Sequence, residues 1–271
     1  MTQALHAVLG WPVAHSKSPL IHAAFGRQFG MDVCYEALPV EAPAFADTLR
    51  ALHAQGYVGL NVTLPHKAAA LAAAVSSTGR AQRAGAANTL IRAAEGWKAD
   101  NTDGVGLLRD LERLGLSPAG KRVLVLGAGG AVRGILEPLL EAGPAELVVS
   151  NRNPWKPEEL AEHFKALGTI RPCTHLALKG DAFDLVIHGT SAGHGGAMPR
   201  LPAGLLAQGA ACYDLSYGAA FAPFQAWAKA NGASRVHDGL GMLVEQAAAA
   251  FEIWHGHAPD TASVLAMLRS A

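Results

Sequence analysis

V-L-V-L-G-A-G-G-A-V-R, residues 123–133, decides the fold. Its apolar opening, Val123 to Leu126, reads as a buried strand, and the residues after Gly130 start a helix. Gly127, Gly129 and Gly130 supply the tight turn between them. A strand that enters a helix through such a turn is the first βα unit of a dinucleotide-binding fold. The glycines let the backbone approach a pyrophosphate, and the helix start offers free N–H groups and a positive dipole end. The spacing is Gly-x-Gly-x-x-Val, without the usual third small residue, so the strand before and the helix after carry the reading.

The following strand, E-L-V-V-S-N (146–151), runs into Arg152. An NAD site places an acid about 20 residues past the glycines, where it holds the ribose 2′-hydroxyl. No acid stands there. Arg152 instead brings a planar cation that suits a 2′-phosphate, and Lys156 adds a second charge. Together they favour NADP over NAD.

The same alternation extends outward in both directions. Before the glycine turn, residues 5–11, 33–40 and 57–62 read as strands separated by helices. One helix starts at Ser18-Pro19, with Ser18 as N-cap and Pro19 at N1, and stops at Gly30. Another runs from Pro43 to Gly56. Residues 88–92 and 97–100 are two further strands joined by a glycine-containing turn. Leu107, Leu108, Leu111 and Leu114 form a helical stripe capped by Gly115, and S-P-A-G (117–120) is a boundary. After the glycine turn, residues 183–188 and 211–215 are strands, and residues 240–271 are two helices. Strands separated by helices predict an α/β protein with mostly parallel sheets, and 271 residues suit two domains.

Composition excludes several classes. The formal net charge is zero, which gives no electrostatic footprint for nucleic acid or an anionic membrane. No apolar run spans a bilayer, and residues 1–9 lack the pattern of a secretory signal, so the expected location is cytoplasmic. The three cysteines, Cys34, Cys173 and Cys212, have no metal-type spacing, and no metal is expected. In a cytoplasmic protein Asn61-Val62-Thr63 is not a glycosylation site.

Four polar clusters stand at the ends of apolar strands: H-S-K-S-P (15–19), N-V-T-L-P-H-K (61–67), A-N-T-L (87–90) and D-N-T-D-G (100–104). Ligands of open α/β sheets bind at the carboxyl ends of strands. Taken singly, each cluster is equally an ordinary cap or turn. Lys67 is the oddest member. The first turn of a helix disfavours a cation, so a lysine there suits proton transfer near neutral pH, with Asp103 to hold and orient it. Near the C-terminus, Met242, Gln246, Ala249 and Ile253 share one helical face, which puts an amide on an apolar stripe. A buried amide needs a partner, and a polyol ligand could be one.

These motifs, with G-W-P-V-A-H-S-K-S-P, G-A-G-G-A, S-N-R and D-G-L-G-M-L-V-E-Q-A-A, resemble in order the shikimate dehydrogenases over residues 8–255. The resemblance implies a two-domain α/β protein. Residues 1–103, completed by 239–271, would form the substrate domain, and 104–238 a Rossmann-like NADP-binding domain. It implies that Ser16 and Ser18 hold a substrate carboxylate, assisted by Tyr217. Thr63, Asn88, Asp103 and Gln246 would bind hydroxyls with Asn61 nearby, and Lys67 and Asp103 would be the catalytic pair. It assigns the cofactor to Gly127, Ala128, Gly129, Gly130, Ala131, Asn151, Arg152, Lys156, Thr190, Ser191, Gly239 and Met242. The implied reaction is reversible, NADPH-dependent reduction of 3-dehydroshikimate to shikimate, by a monomer or homodimer.

The chain departs from the family pattern in three places. Asn153 replaces a threonine in the Asn-Arg-Thr cofactor motif. His188 stands where the family has asparagine, and reads as a buried strand-end residue rather than a catalytic one. Ala222 replaces the threonine before Pro223. Two other functions fit the residues: a relaxed quinate/shikimate dehydrogenase, and a catalytically silent NADP sensor. The sensor needs neither Lys67 nor Asp103.

Overall fold

A computed structural model describes residues 4–270. They form two units, one of residues 4–106 with 243–270 and one of Leu107–Met242. The chain passes between the units inside helices rather than through loops.

The first unit opens with β1 (Ala4–Gly10), α1 (Ser18–Gln28), β2 (Val33–Pro39), α2 (Phe45–Ala54), β3 (Gly59–Val62) and α3 (Lys67–Ala73). It continues through β4 (Ser76–Ser77), α4 (Gly79–Ala84), β5 (Thr89–Ala93) and β6 (Gly96–Asp100) to the start of α5 (Asp103–Arg113). The strand order is β2-β1-β3-β5-β6-β4. β1 lies parallel to β2 and β3, whereas β5 is antiparallel to both β3 and β6. A return strand needs only a tight connection, and the Ala93–Gly96 hairpin supplies it.

Ser18 is not the cap of α1. Lys17 holds that position, Ser18 is the first helical residue, and the hydroxyl of Ser16 accepts the Ser18 N–H at 3.2 Å. A serine two residues upstream satisfies the orphan donor as well as one in the cap itself. Pro43 likewise lies in a short 3-10 turn, Ala42–Ala44, that leads into α2.

The second unit contains β7 (Arg122–Leu126), α6 (Gly130–Glu141), β8 (Glu146–Asn151), α7 (Trp155–Phe164), β9 (Ile170–Thr174), β10 (Phe183–His188), β11 (Leu206–Asp214), α8 (Ala222–Ala230) and β12 (Arg235–His237). Its six strands are parallel in the order β12-β11-β10-β7-β8-β9. That is the Rossmann arrangement, with its topological switch point between β7 and β10. Val123, Val125, Val132, Ile135 and Leu147 fill its core, and Leu107 and Leu111 pack there from α5. α9 (Leu240–His255) starts in this unit, where the Tyr213 hydroxyl donates to Asp110 at 2.6 Å and accepts the Met242 N–H at 3.3 Å. α9 then returns to the first unit, followed by α10 (Thr261–Ser270). No helix among the described residues is long and apolar enough to cross a membrane.

α9 docks in the first unit through Trp254, whose indole N–H donates to Leu90 O at 3.1 Å. Gly59 leaves room for that ring, since a Cβ there would strike it. Beside it lies a histidine cluster. His22 stacks on Tyr35 with ring centres 4.3 Å apart, and the rings of His6 and His255 are 4.9 Å apart. Burial, then repulsion from His255, lowers His6 to a pKa of about 4. Burial, then the charges of His6 and His255, holds His22 well below the ordinary range.

An unfolded histidine titrates near 6.5, so below that pH the unfolded chain binds more protons than the native one. The stabilisation is complete above the unfolded pKa and is lost as the pH falls toward the folded values. Asp100 and Asp260 have lowered pKa values and lose theirs only in more acid solution. The melting temperature is therefore expected to drop between pH 7.5 and pH 5, and His22→Phe to reduce that drop. Equal losses in the two proteins by circular dichroism would refute the assignment.

Candidate active site

The topology of the first unit brings its four polar clusters to one sheet edge. β1, β3 and β6 end there, and β5, running the other way, begins there. Ser16 and Ser18 follow β1, Asn61 and Thr63 close β3, Asn88 precedes β5, and Asp103 follows β6. β1 and β3 carry the chain to opposite sides, which is a second topological switch point.

Lys67 is the first residue of α3, held by the turn that His66 completes. His66 is buried against Phe45, with a ring nitrogen 2.6 Å from Val40 O. Lys67 Nζ donates to Asp103 Oδ2 at 2.5 Å, with side-chain exposures of 13% and 7%. Asp103 Oδ1 accepts from Asn88 Nδ2 at 2.8 Å. Asn88 Nδ2 also lies 2.9 Å from Thr102 Oγ1 and 3.1 Å from Gln246 Oε1. An amide has two N–H groups, so it satisfies at most two of these three acceptors at once.

Two expectations change at this network. Gln246 does sit buried on an apolar face, but protein groups meet it: Asn88 reaches Oε1, and Nε2 donates to Leu243 O at 2.9 Å. One Nε2 proton remains for a ligand. Asn61 is more fully engaged. Its Oδ1 accepts the Tyr35 hydroxyl at 2.7 Å, and its Nδ2 reaches Asn88 O at 3.1 Å and Thr89 Oγ1 at 3.3 Å. Only a second lone pair on Oδ1 is left to meet a hydroxyl.

Sequence reasoning did not assign the supporting residues. Arg80 grips Asp100 with two bonds of 2.6 and 2.8 Å, and Asp100 Oδ1 accepts the Asn101 N–H at 2.7 Å. Asn101 Oδ1 then accepts the Asp103 N–H at 3.0 Å. This chain fixes the turn that presents Asp103. A bidentate arginine is its strongest member. The unbroken polar run D-N-T-D was its only signal in sequence.

In the second unit, the turn after β7 has the form a dinucleotide needs. Gly127 has φ +113°, and a Cβ there would lie 2.8 Å from Gly189 O. A Cβ on Gly129 or Gly130 would meet nothing within 4 Å, so the space over the turn is open. No side chain caps α6, leaving its first N–H groups and the Ala128–Ala131 backbone for an anion. Asn151 ends β8, and Arg152 and Lys156 stand exposed beyond it. Asn153, the departure, is exposed and bonds locally: Asn151 Oδ1 accepts its N–H at 3.2 Å, and its own Oδ1 accepts the Trp155 N–H at 3.1 Å. Thr190 and Ser191 follow β10. Half-buried Tyr217 follows β11, and Gly239 leads into α9, where a Cβ would strike Leu215 O. Among the described residues no group of histidines, cysteines and acids could hold a metal ion.

Three family descriptions match the chain. Residues 8–90 match the shikimate dehydrogenase substrate binding domain, 111–195 the shikimate/quinate 5-dehydrogenase family, and 239–269 the shikimate 5′-dehydrogenase C-terminal domain. The shikimate dehydrogenase (NADP(+)) of Cellvibrio japonicus is 50% identical, over 98% of this chain and 96% of the relative. An Ael1 enzyme from Pseudomonas putida has a similar structure, with a TM-score of 0.92 at 42% identity over 98% of each chain. The shikimate 5-dehydrogenase of Thermus thermophilus, solved in complex with NADP(H) and shikimate, gives a TM-score of 0.85 at 36% identity over 99% of each chain.

Proposed function

The chain belongs to the shikimate dehydrogenase family, and from that premise we propose that it reversibly reduces 3-dehydroshikimate to shikimate through Lys67 and Asp103. It is an NADP-dependent oxidoreductase. The observation that carries the residue assignment is the 2.5 Å contact between Lys67 Nζ and Asp103 Oδ2 at the edge where the four polar clusters converge.

When bound, the nicotinamide supplies hydride for reduction and accepts it for oxidation. Every other task belongs to the chain. As hydride reaches the ring carbonyl carbon, its oxygen becomes an alkoxide, and the Lys67 ammonium donates the proton that makes it a hydroxyl. In the oxidative direction the neutral amine takes that proton back. Asp103 Oδ2 aims the ammonium, while Asn88 holds Oδ1 so that the carboxylate keeps one orientation. Gln246 offers its free Nε2 proton and Thr63 its hydroxyl to substrate hydroxyls, and the remaining lone pair of Asn61 Oδ1 accepts from one. Ser16 and Ser18 take the carboxylate, with Tyr217 assisting.

The Gly127–Ala131 backbone receives the pyrophosphate, and Arg152 and Lys156 the 2′-phosphate, with Asn151 shaping their loop. Thr190, Ser191, Gly239 and Met242 complete the cofactor set.

Absorbance at the reduced-nicotinamide band tests the reading with shikimate or quinate, each with NADP or NAD. Reduction with shikimate and NADP alone is expected. Equal turnover of quinate would assign the broader activity that the shikimate/quinate family description allows. Silence in all four mixtures, with NADP still raising the melting temperature, would point to a sensor.

A further inference from the structure

His188 does more than fill a strand end. It is the last residue of β10, fully buried, and paired in register with Asp214, the last residue of β11. Its Nδ1 lies 3.1 Å from Asp214 Oδ2, and its Nε2 lies 2.7 Å from Thr190 Oγ1. Its ring stacks on Phe224, with centres 4.9 Å apart and planes 9° apart, so the imidazole has one seat. Asp214 Oδ1 is already engaged, accepting the Ser216 N–H at 2.8 Å.

The carboxylate partner places one of the ring hydrogens. An ionised carboxylate only accepts, so Nδ1 carries the hydrogen and donates to Asp214. With a single ring hydrogen, placed on Nδ1, Nε2 accepts and the Thr190 hydroxyl donates to it. Thr190 Oγ1 also accepts the Ala192 N–H at 3.3 Å. One lone pair of Thr190 Oγ1 remains.

That hydroxyl stands at the switch point of the sheet. β10 neighbours β7, with His188 in register with Leu126, immediately before the glycine turn. The Thr190 backbone nitrogen lies 3.2 Å from where a Cβ of Gly127 would be. The loop after β10 therefore rests on the turn that receives the pyrophosphate.

We propose that His188, locked by Asp214, is a positioning residue that turns Thr190 into a fixed hydrogen-bond acceptor for a donor group of the dinucleotide, such as a ribose hydroxyl or a carboxamide N–H. The proposal rests on the reading of Thr190 as a cofactor residue. An asparagine amide can likewise donate to Asp214 and accept from Thr190.

Equilibrium titration of the full chain with NADP, without shikimate, tests it. His188→Leu and Thr190→Val are each expected to raise the NADP Kd about tenfold, the scale of one hydrogen bond. The double variant should be no weaker than either single one. His188→Asn and Thr190→Ser should stay within about threefold of wild type, since each restores the bonding pattern. If His188→Leu does not fold, His188→Ala takes its place in the comparison, with the same expected loss. Wild-type affinity in Thr190→Val, or a double variant whose loss is the product of the two single losses, overturns the proposal. A wild-type protein that does not bind NADP overturns the cofactor reading itself.

Discussion

Replacing Lys67 by alanine is expected to lower kcat for shikimate oxidation about 10³-fold, within the range that a positioned proton donor contributes. NADP affinity should stay unchanged, because the glycine turn and Arg152 are untouched. The substrate KM should move little, since Ser16, Ser18, Thr63 and Gln246 remain. Some stability should also be lost, because Asp103 is buried and Lys67 is its counter-ion. Asn88 still reaches Oδ1 in the variant, which keeps the carboxylate partly satisfied. A cooperative melt recorded beside the kinetics separates lost chemistry from lost fold. A folded Lys67→Ala protein within tenfold of wild-type kcat would remove Lys67 from the mechanism.

Asp103→Asn should fail differently. The native carboxylate accepts from Lys67 at one oxygen and from Asn88 at the other. An asparagine can accept at only one of these positions, and its NH2 must face a donor at the other. Lys67 or Asn88 is then displaced. The expected result is a kcat about 10²-fold lower together with a shikimate KM about tenfold higher, because one residue both aims the acid and binds substrate. The joint change is the diagnostic feature, since the Lys67 variant should leave KM nearly alone. Wild-type kcat and KM in a folded Asp103→Asn protein would sink the pairing.

The Rossmann-like unit was legible because its determinants are local. One strand, a glycine turn and a helix start occupy consecutive residues, and neighbours along the chain report the backbone there. Arg152 was legible as an absence of acid at a fixed spacing. Lys67 stood out because a cation in a first helical turn opposes the dipole.

What stayed hidden depends on register and on competition for hydrogen bonds. His188 and Asp214 are 26 positions apart and meet only because β10 and β11 pair in one particular register. The Arg80–Asp100 grip arises where the short α4 passes the end of β6. Asn61 stands in a strand-end cluster, but its bond to Tyr35, from a different strand, could not be read from that position. No periodicity in the sequence counts how many acceptors one amide can serve. Ser18 was misplaced by one position because a serine before a proline marks a helix start without saying which serine oxygen meets the free N–H.

If Lys67 and Asp103 form one proton-handling unit, their losses cannot simply multiply. A double-mutant cycle on kcat with shikimate and NADP measures this, using wild type, Lys67→Ala, Asp103→Asn and the double variant. The double variant is expected to be about as slow as Lys67→Ala alone, since an aspartate with no lysine to aim contributes little further. A double variant slowed by the full product of the two single effects would mean that the residues act independently and that the 2.5 Å contact is not the catalytic one.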